Sequence, residues 1–87
     1  AKVQNSLIAN GCIIEGQVEN SILFRGVHIK KNAIVRNCVL NEKTVVEENA
    51  VVANVITDKN VCIMNSVAIA GAYTHPYMIE KNETVTR

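Results

Sequence analysis

The chain has 87 residues, of which 48% are hydrophobic, so it forms one small domain that buries a modest share of its surface, and a partner or parent chain is expected. Its net charge of +1 and three aromatic residues exclude the basic, stacking surface that nucleic-acid binding requires. No apolar run approaches the roughly 18 residues of a membrane span, and the sequence begins without signal-peptide features, which predicts a cytoplasmic protein with no membrane partner.

A short phrase repeats along the chain. Val-x-Asn followed by a small or β-branched residue begins at positions 3, 18, 35 and 52, with offsets of 15, 17 and 17 residues. Within one repeat the phrases are spaced six, six and five residues apart, as in Ser21, Val27, Ala33 and Cys38. This spacing is typical of a hexapeptide-repeat solenoid with three short strands in each coil.

Sharp corners are predicted before each phrase. Nine of the ten preceding residues are Gly or Asn, which tolerate a positive φ, and only Lys43 departs from this rule. The predicted left-handed corner residues are Asn5, Gly11, Asn20, Gly26, Asn32, Asn37, Lys43, Asn49, Asn54 and Asn60.

Two ladders of side chains are expected to fill the interior, because residues two apart in a strand face the same side. The first contains Ser6, Cys12, Ser21, Val27, Ala33, Cys38, Thr44, Ala50, Val55 and Val61. The second contains Ile8, Ile14, Leu23, Ile29, Val35, Leu40, Val46, Val52, Thr57 and Ile63. Corners every five or six residues exclude a β-sandwich and an amphipathic helix, and right-handed coils would be longer and less regular.

The prediction is an all-β fold, a single-stranded left-handed parallel β-helix of about five coils. Residues 3–63 form the regular coils, the first of which is two residues short near Gly16, where the missing side chain tightens the corner. Residues 64–87 are weaker in pattern and are predicted to form a terminal coil and a cap, with Ile79 and Val85 on one last side.

One outward side carries a continuous aliphatic stripe. Between the two inward ladders, side chains should point outward, yet four of these positions on one side are aliphatic: Leu7, Ile22, Val39 and Ile56. A stacked apolar surface on a protein is usually covered by another domain or subunit. We therefore predict an interface here and an oligomeric protein. The outward residues on the sides that carry His28 and Ile34 also indicate a contact with another domain or subunit, but less clearly than the stripe does.

No catalytic residue, metal site or cofactor is predicted within the chain. His28 lies on an outward position, where a surface or interface histidine is the simpler interpretation. His75 has no further histidine at coil spacing, which a zinc site on this fold would need. The three cysteines are odd in number and far apart, so reduced thiols are expected rather than disulfides.

Residues 5–16 and 18–27, Asn-Ser-Leu-Ile-Ala-Asn-Gly-Cys-Ile-Ile-Glu-Gly and Val-Glu-Asn-Ser-Ile-Leu-Phe-Arg-Gly-Val, closely resemble glucose-1-phosphate adenylyltransferase, also called ADP-glucose pyrophosphorylase. The resemblance is greatest to its accessory GlgD-type subunit, in which the usual Gly of the hexapeptide is often replaced, as by Lys30 and Glu47 here. It implies a C-terminal β-helix domain that packs against a catalytic domain and neighbouring subunits. The family's N-terminal nucleotidyltransferase domain, with its substrate and metal residues, is expected to lie outside this chain, so no turnover is expected from it alone.

The same resemblance singles out one binding residue. Residues 55–63 are similar to the family's Ile-Asp-Lys/Arg-x-x-x-Ile segment, whose basic residue contacts anionic effectors such as phosphorylated sugars or nucleotides, and Lys59 occupies that position. The resemblance thus implies regulation and assembly in glycogen synthesis. Two alternatives remain: the core of a hexapeptide-repeat acyltransferase, and a purely structural scaffold in which Lys59 is an ordinary surface lysine.

Overall fold

A computed structural model describes residues 1–72 and 74–86, and within them the regular structure consists entirely of short strands. In chain order these are β1 (Lys2–Gln4), β2 (Leu7–Ile8), β3 (Ile13–Ile14), β4 (Gln17–Glu19), β5 (Ile22–Leu23), β6 (His28–Ile29), β7 (Ile34–Arg36), β8 (Val39–Leu40), β9 (Val45–Val46), β10 (Val51–Ala53), β11 (Val55–Thr57), β12 (Cys62–Ile63), β13 (Ala68–Ala70), β14 (Tyr77–Ile79) and β15 (Thr84–Val85). The described residues include no helix long and apolar enough to cross a membrane.

Each strand pairs in parallel with the strand three places later, which winds the chain into a three-sided solenoid. Sheet A has the order β1-β4-β7-β10-β13, sheet B β2-β5-β8-β11-β14 and sheet C β3-β6-β9-β12-β15. The left-handed parallel β-helix is therefore confirmed. Each sheet contains five strands, and the chain makes about four full turns between the first and the last of them, against the five coils predicted.

The corners have the backbone conformation that the sequence predicts. All ten predicted residues have positive φ, from 49° at Asn20 to 78° at Gly11, and Lys43 adopts 61° although it is neither Gly nor Asn. Ser66 and Asn82 also have positive φ and were not predicted. A Cβ in this region costs roughly 1–2 kcal/mol, a cost that Asn reduces by hydrogen bonding locally.

The two inward ladders form the core. From the second coil onward their members are buried, and Leu23, Ile29, Leu40 and Ile63 are its largest fully buried side chains. Their counterparts in the first coil are only half-buried, because no described strand pairs with the outer edge of that coil. Both ladders are thus confirmed, and the interior is a stack of equivalent layers.

Gly16 explains how the short first coil fits beneath the longer second one. Lys2 is paired with Gln17, an offset of 15, whereas Gln17 is paired with Ile34, an offset of 17. The two missing residues belong to the corner between sheets C and A. A Cβ on Gly16 would lie 2.3 Å from the carbonyl oxygen of Ala33. No other residue can occupy this position without moving the backbone.

The last turn is longer than the others. Val55 is paired with Tyr77, an offset of 22 residues, because residues 71–76 separate β13 from β14; Ala72 and His75 form an isolated bridge. Ile79 and Val85 lie on two sides of the solenoid, in sheets B and C, rather than on one last side, because six residues span one corner, as they do from Leu23 to Ile29. Within the predicted cap, Tyr73 and Arg87 lie outside the described residues, and the division at residue 63 stays a prediction.

We expect Gly16→Ala to destabilise the fold by about 1–3 kcal/mol, the usual cost of overpacking, because the new methyl group would meet backbone atoms of the next coil. Urea unfolding followed by circular dichroism measures the change. Gln17→Ala, at an exposed neighbouring position, is the matched control and should stay within about 0.5 kcal/mol of the parent chain. Equal stability of the two variants would contradict the close approach.

Candidate functional site

The aliphatic stripe of the sequence analysis is a straight column on the outer face of sheet B. Strand pairing sets Leu7 beside Ile22, Ile22 beside Val39, and Val39 beside Ile56. The column continues to Met78, which pairs with Ile56. Leu7 and Met78 at its ends are 69% and 64% exposed, Ile22 is 39% exposed, and the central members are half-buried. We call these five residues the stripe.

Met78 was missed because the residues between β13 and β14 shift the repeat by five, from an offset of 17 to one of 22. A period of 17 places the next stripe position at residue 73, whereas the structure places it at 78. The signal that could have found it is Ile79, a buried aliphatic residue that follows Met78 as Leu40 follows Val39. An inward aliphatic residue marks the preceding residue as outward, whatever the length of the loop before it.

The other two sides are more polar. The corresponding column of sheet A begins with Lys2 and Gln17 before it reaches Ile34. The column of sheet C includes His28, whose ring Nε2 lies 2.9 Å from Oε1 of Glu15, and ends at Thr84. Sheet B is therefore the one side whose central column, within the described residues, has only uncharged apolar side chains.

Amide side chains border the stripe at the corner between sheets A and B, next to the ends of β4 and β7, where Arg36 Nε lies 4.0 Å from Glu19 Oε2. The corner residues stack as an asparagine column, in which the Asn5 side-chain amide donates to Oδ1 of Asn20 at 2.6 Å and that of Asn54 donates to the Gly71 carbonyl at 3.1 Å. Inside them, the hydroxyl of Ser21 accepts from the Cys38 backbone N–H at 3.1 Å. A shallow groove runs between the asparagines and the stripe.

The opposite margin, at the corner between sheets B and C, is charged. Lys59 lies there and is exposed; its backbone N–H donates to Oδ1 of Asp58 at 2.7 Å, and its carbonyl accepts from the Asn82 N–H at 3.1 Å. These bonds fix the corner and leave the side chain free to project outward. None of the ion pairs found among the described residues involves Lys59. Equivalent corner positions one coil away hold Glu42 and Lys81.

A buried pair of threonines supports this corner from inside. Thr57 interrupts the aliphatic ladder, and its hydroxyl lies 2.9 Å from the hydroxyl of Thr44, while both residues are fully buried. The Thr57 hydroxyl also accepts from the backbone N–H of Asn41 at 3.1 Å. The buried hydroxyl of Thr57 therefore has hydrogen-bond partners, and it lies directly beneath the corner that carries Lys59.

The remaining singled-out residues are not gathered into one place. All three cysteines are free, and burial raises the pKa of the Cys38 thiol; burial and then the Glu47 carboxylate raise that of Cys62. No group of three or more potential metal ligands occurs within residues 1–72 and 74–86. Sheet B and its two margins thus form the candidate functional surface.

The chain is similar to proteins of known families. A sequence profile described as GlmU-like, C-terminal hexapeptide, matches residues 1–75. A glucose-1-phosphate adenylyltransferase of Clostridium beijerinckii is 59% identical over 39 residues, which is 45% of this chain and 10% of the relative. The glycogen biosynthesis protein GlgD of Bacillus subtilis is 69% identical over 29 residues (33% and 8%), and that of Geobacillus stearothermophilus 67% over 33 residues (38% and 10%).

These matches confirm the resemblance that the sequence analysis stated, both to the adenylyltransferase and to GlgD. They cover about a tenth of the length of the relatives, so most of each relative has no counterpart in this chain.

We expect Thr57→Val to cost about 1–3 kcal/mol, because it removes the acceptor of the Asn41 N–H and leaves the Thr44 hydroxyl only a longer bond, of 3.4 Å, to the Asp58 carbonyl. Urea unfolding measures the loss. The same isosteric change at Thr84, an exposed position on sheet C, is the control and should shift stability by less than about 0.5 kcal/mol. A Thr57→Val variant as stable as the Thr84 control would show that the hydroxyl pair is dispensable.

Proposed function

This chain belongs to the GlmU-like C-terminal hexapeptide family, and we propose that it is the assembly and regulatory domain of a protein of glycogen synthesis that forms ADP-glucose from ATP and glucose 1-phosphate. The observation that carries the proposal is the stripe of sheet B, which crosses five strands and contains no charged side chain. The relatives of this chain are about ten times longer than the segment that matches it. Such a surface needs a covering partner.

Catalysis belongs to the rest of the longer protein under this proposal. The relatives that carry the name glucose-1-phosphate adenylyltransferase match this chain over about a tenth of their own length. The described residues offer rigid flat sides rather than an enclosed pocket with converging polar groups. Their contribution is to hold a neighbouring domain or subunit in a defined position.

The stripe is the contact surface in this proposal. Interfaces between protein surfaces have apolar, desolvated centres and polar rims. Sheet B has this arrangement, since the stripe runs between the asparagine column and the charged corner of Lys59. Leu7, Ile22, Val39 and Ile56 thus act in assembly, together with Met78, and the parent protein is an oligomer.

Regulation is assigned to Lys59. Its ammonium group projects from a corner that two backbone hydrogen bonds hold in place, and a flexible ammonium group suits a phosphate group. Beyond the resemblance, the support is the position of Lys59 beside the stripe. Ile56 lies on β11, and Lys59 is the second residue after that strand. An anionic effector bound there would contact the same coil that takes part in assembly.

The assembly role predicts the behaviour of a chimaera in which this chain replaces the matching C-terminal region of the Clostridium beijerinckii enzyme. ADP-glucose formation and native mass should depend on the stripe, and Ile22→Ser with Val39→Ser should lower both, because each serine places a hydroxyl in a desolvated contact. Ile34→Ser with Val51→Ser, the equivalent pair on sheet A, is the matched control.

Activity and mass that fall equally in the two double variants would point to general unfolding, which circular dichroism reports separately. Full activity and unchanged mass in the sheet B variant would contradict the assembly role.

The regulatory role predicts that Lys59→Ala weakens the response of the same chimaera to added glucose 6-phosphate or AMP, used as probes of the two effector classes. A charge-assisted hydrogen bond contributes about 1.5–3 kcal/mol, so half-maximal response should require roughly tenfold or more probe. Lys31→Ala, an exposed lysine at another corner, is the control and should respond like the parent chimaera. If the Lys59→Ala and Lys31→Ala variants respond equally to the added probe, Lys59 has no regulatory role and its corner is only structural.

A further inference from the structure

We propose that Cys62, Met64 and Glu47 form a binding site for a soft monovalent metal ion of the copper(I) class, on the outer face of sheet C at its corner with sheet A. This site lies on a different side of the solenoid from the stripe, so the inference goes beyond the proposed assembly and regulatory roles. The observation behind it is that Cys62 Sγ lies 3.8 Å from Met64 Sδ and 4.0 Å from Glu47 Oε2.

Strand alternation and coil stacking bring these three side chains together. Cys62 is the outward residue of β12, and Met64, two residues later, faces the same side. Glu47 occupies the position of Met64 one coil earlier, since its N–H donates to the Ile63 carbonyl at 2.8 Å and Ile63 pairs with Val46. Neighbouring strands lie about 4.8 Å apart, so donor atoms from two coils face one small region of the surface.

The distances between the donor atoms suit a shared metal ion. Two sulfur ligands, each about 2.3 Å from a metal, can be at most about 4.6 Å apart, and the two sulfur atoms here are 3.8 Å apart. With a metal–oxygen bond of about 2.0–2.2 Å, a carboxylate oxygen can lie up to about 4.3 Å from the same sulfur, and Glu47 Oε2 lies at 4.0 Å. All three side chains are half-buried, so an ion can reach them from solvent.

The ligand types favour a soft ion. Within residues 1–72 and 74–86, histidine, cysteine and carboxylate side chains alone form no group of three, so the site depends on the thioether of Met64. A thiolate together with a thioether selects Cu(I), whereas Mg²⁺ and Ca²⁺ require oxygen ligands.

The charges around the site fit a monovalent ion. Lys30 Nζ lies 3.0 Å from Glu47 Oε1, which holds the carboxylate in place and leaves Oε2 toward the thiol. The thiol loses its proton on metal binding, so the Cys62 thiolate and the Glu47 carboxylate carry two negative charges, and Lys30 and Cu(I) carry two positive ones. These four charges cancel, which lowers the cost of a half-buried position, whereas a divalent ion would leave one positive charge unbalanced within this set.

Competition with a copper(I) chelator tests the site in this chain. Cys12→Ala and Cys38→Ser first remove the other two thiols; serine already occupies the position of Cys38 one coil earlier, at Ser21. Cu(I) is then supplied anaerobically as its bicinchoninate complex, whose colour fades as the chain takes up the ion. We expect one Cu(I) per chain, and Cys62→Val, which copies the paired Val45 of the preceding coil, should abolish uptake.

The second methionine of the chain provides the matched control. Met64→Leu keeps an apolar side chain of similar size but removes the thioether, so it should lower Cu(I) affinity roughly tenfold or more, at least the usual cost of losing an outer-shell partner. Met78→Leu makes the same change in the stripe and should bind Cu(I) like the parent background. Glu47→Gln should also weaken binding, because a neutral amide no longer balances the ion, and circular dichroism checks that every variant is folded.

The ¹³C-methyl resonances of the two methionines report ligation independently of affinity. Cu(I) should shift the methyl resonance of Met64 and leave that of Met78 unchanged. No uptake by the background chain would overturn the site. Equal affinities of Met64→Leu and Met78→Leu would overturn it as well, because copper would then be bound by the thiol alone, and unchanged affinity in Glu47→Gln would contradict the carboxylate as third ligand.

Discussion

The left-handed corner is the constraint on which the rest of this structure depends. Each coil must turn three times within about 17 residues, and the chain does so with one residue of positive φ at nearly every turn. That requirement selects Asn or Gly at the corner and leaves only two or three residues for each strand. With so few residues per strand, the inward side chains are determined as soon as the corners are known.

Because successive coils have the same length, equivalent side chains stack into columns. Because every strand is paired in register with its equivalent in the next coil, any outward residue type that recurs every 17 positions becomes a continuous surface feature. The asparagine column, the serine hydroxyls that accept backbone N–H groups and the aliphatic stripe all arise in this way. A solenoid therefore presents extended one-dimensional surfaces, which suit flat contacts with other proteins better than enclosed binding sites.

The sequence predicts most of the fold because the corner preference is local and repeated. The ten predicted corners and both inward ladders were found from the repeat spacing and from the Gly or Asn before each phrase, and at Lys43 the neighbouring coils indicate the conformation. Ser66 was missed because the regular coils were predicted to end at residue 63, although Val67 and Ile69 continue the 17-residue repeat of Ala50 and Val52. Met78 was missed because the period changes between β13 and β14, and the length of that connection has no signature in the coils before it.

The candidate site is less predictable, for a different physical reason. Which face a residue occupies follows from the strand alternation, so the position of the stripe could be inferred. What an exposed side chain binds depends on groups contributed by partners. Thr57 illustrates the intermediate case: its interruption of the ladder was visible in the sequence, whereas its hydrogen bonds to Thr44 and Asn41 require two corners to meet in space.

The two proposed roles of this surface share one strand. On β11, Ile56 faces outward in the stripe and Thr57 faces inward to the hydroxyl pair; Asp58 then begins the corner that carries Lys59. These residues are adjacent in the chain, and the side chains that form the interior beneath them are buried. Under the two proposed roles, an anion that repositions the Lys59 corner would act on Ile56 through Thr57, and a partner that contacts Ile56 would act on Lys59 by the same route. Coupling of this kind is reciprocal, so assembly would alter anion affinity by the same factor as the anion alters assembly.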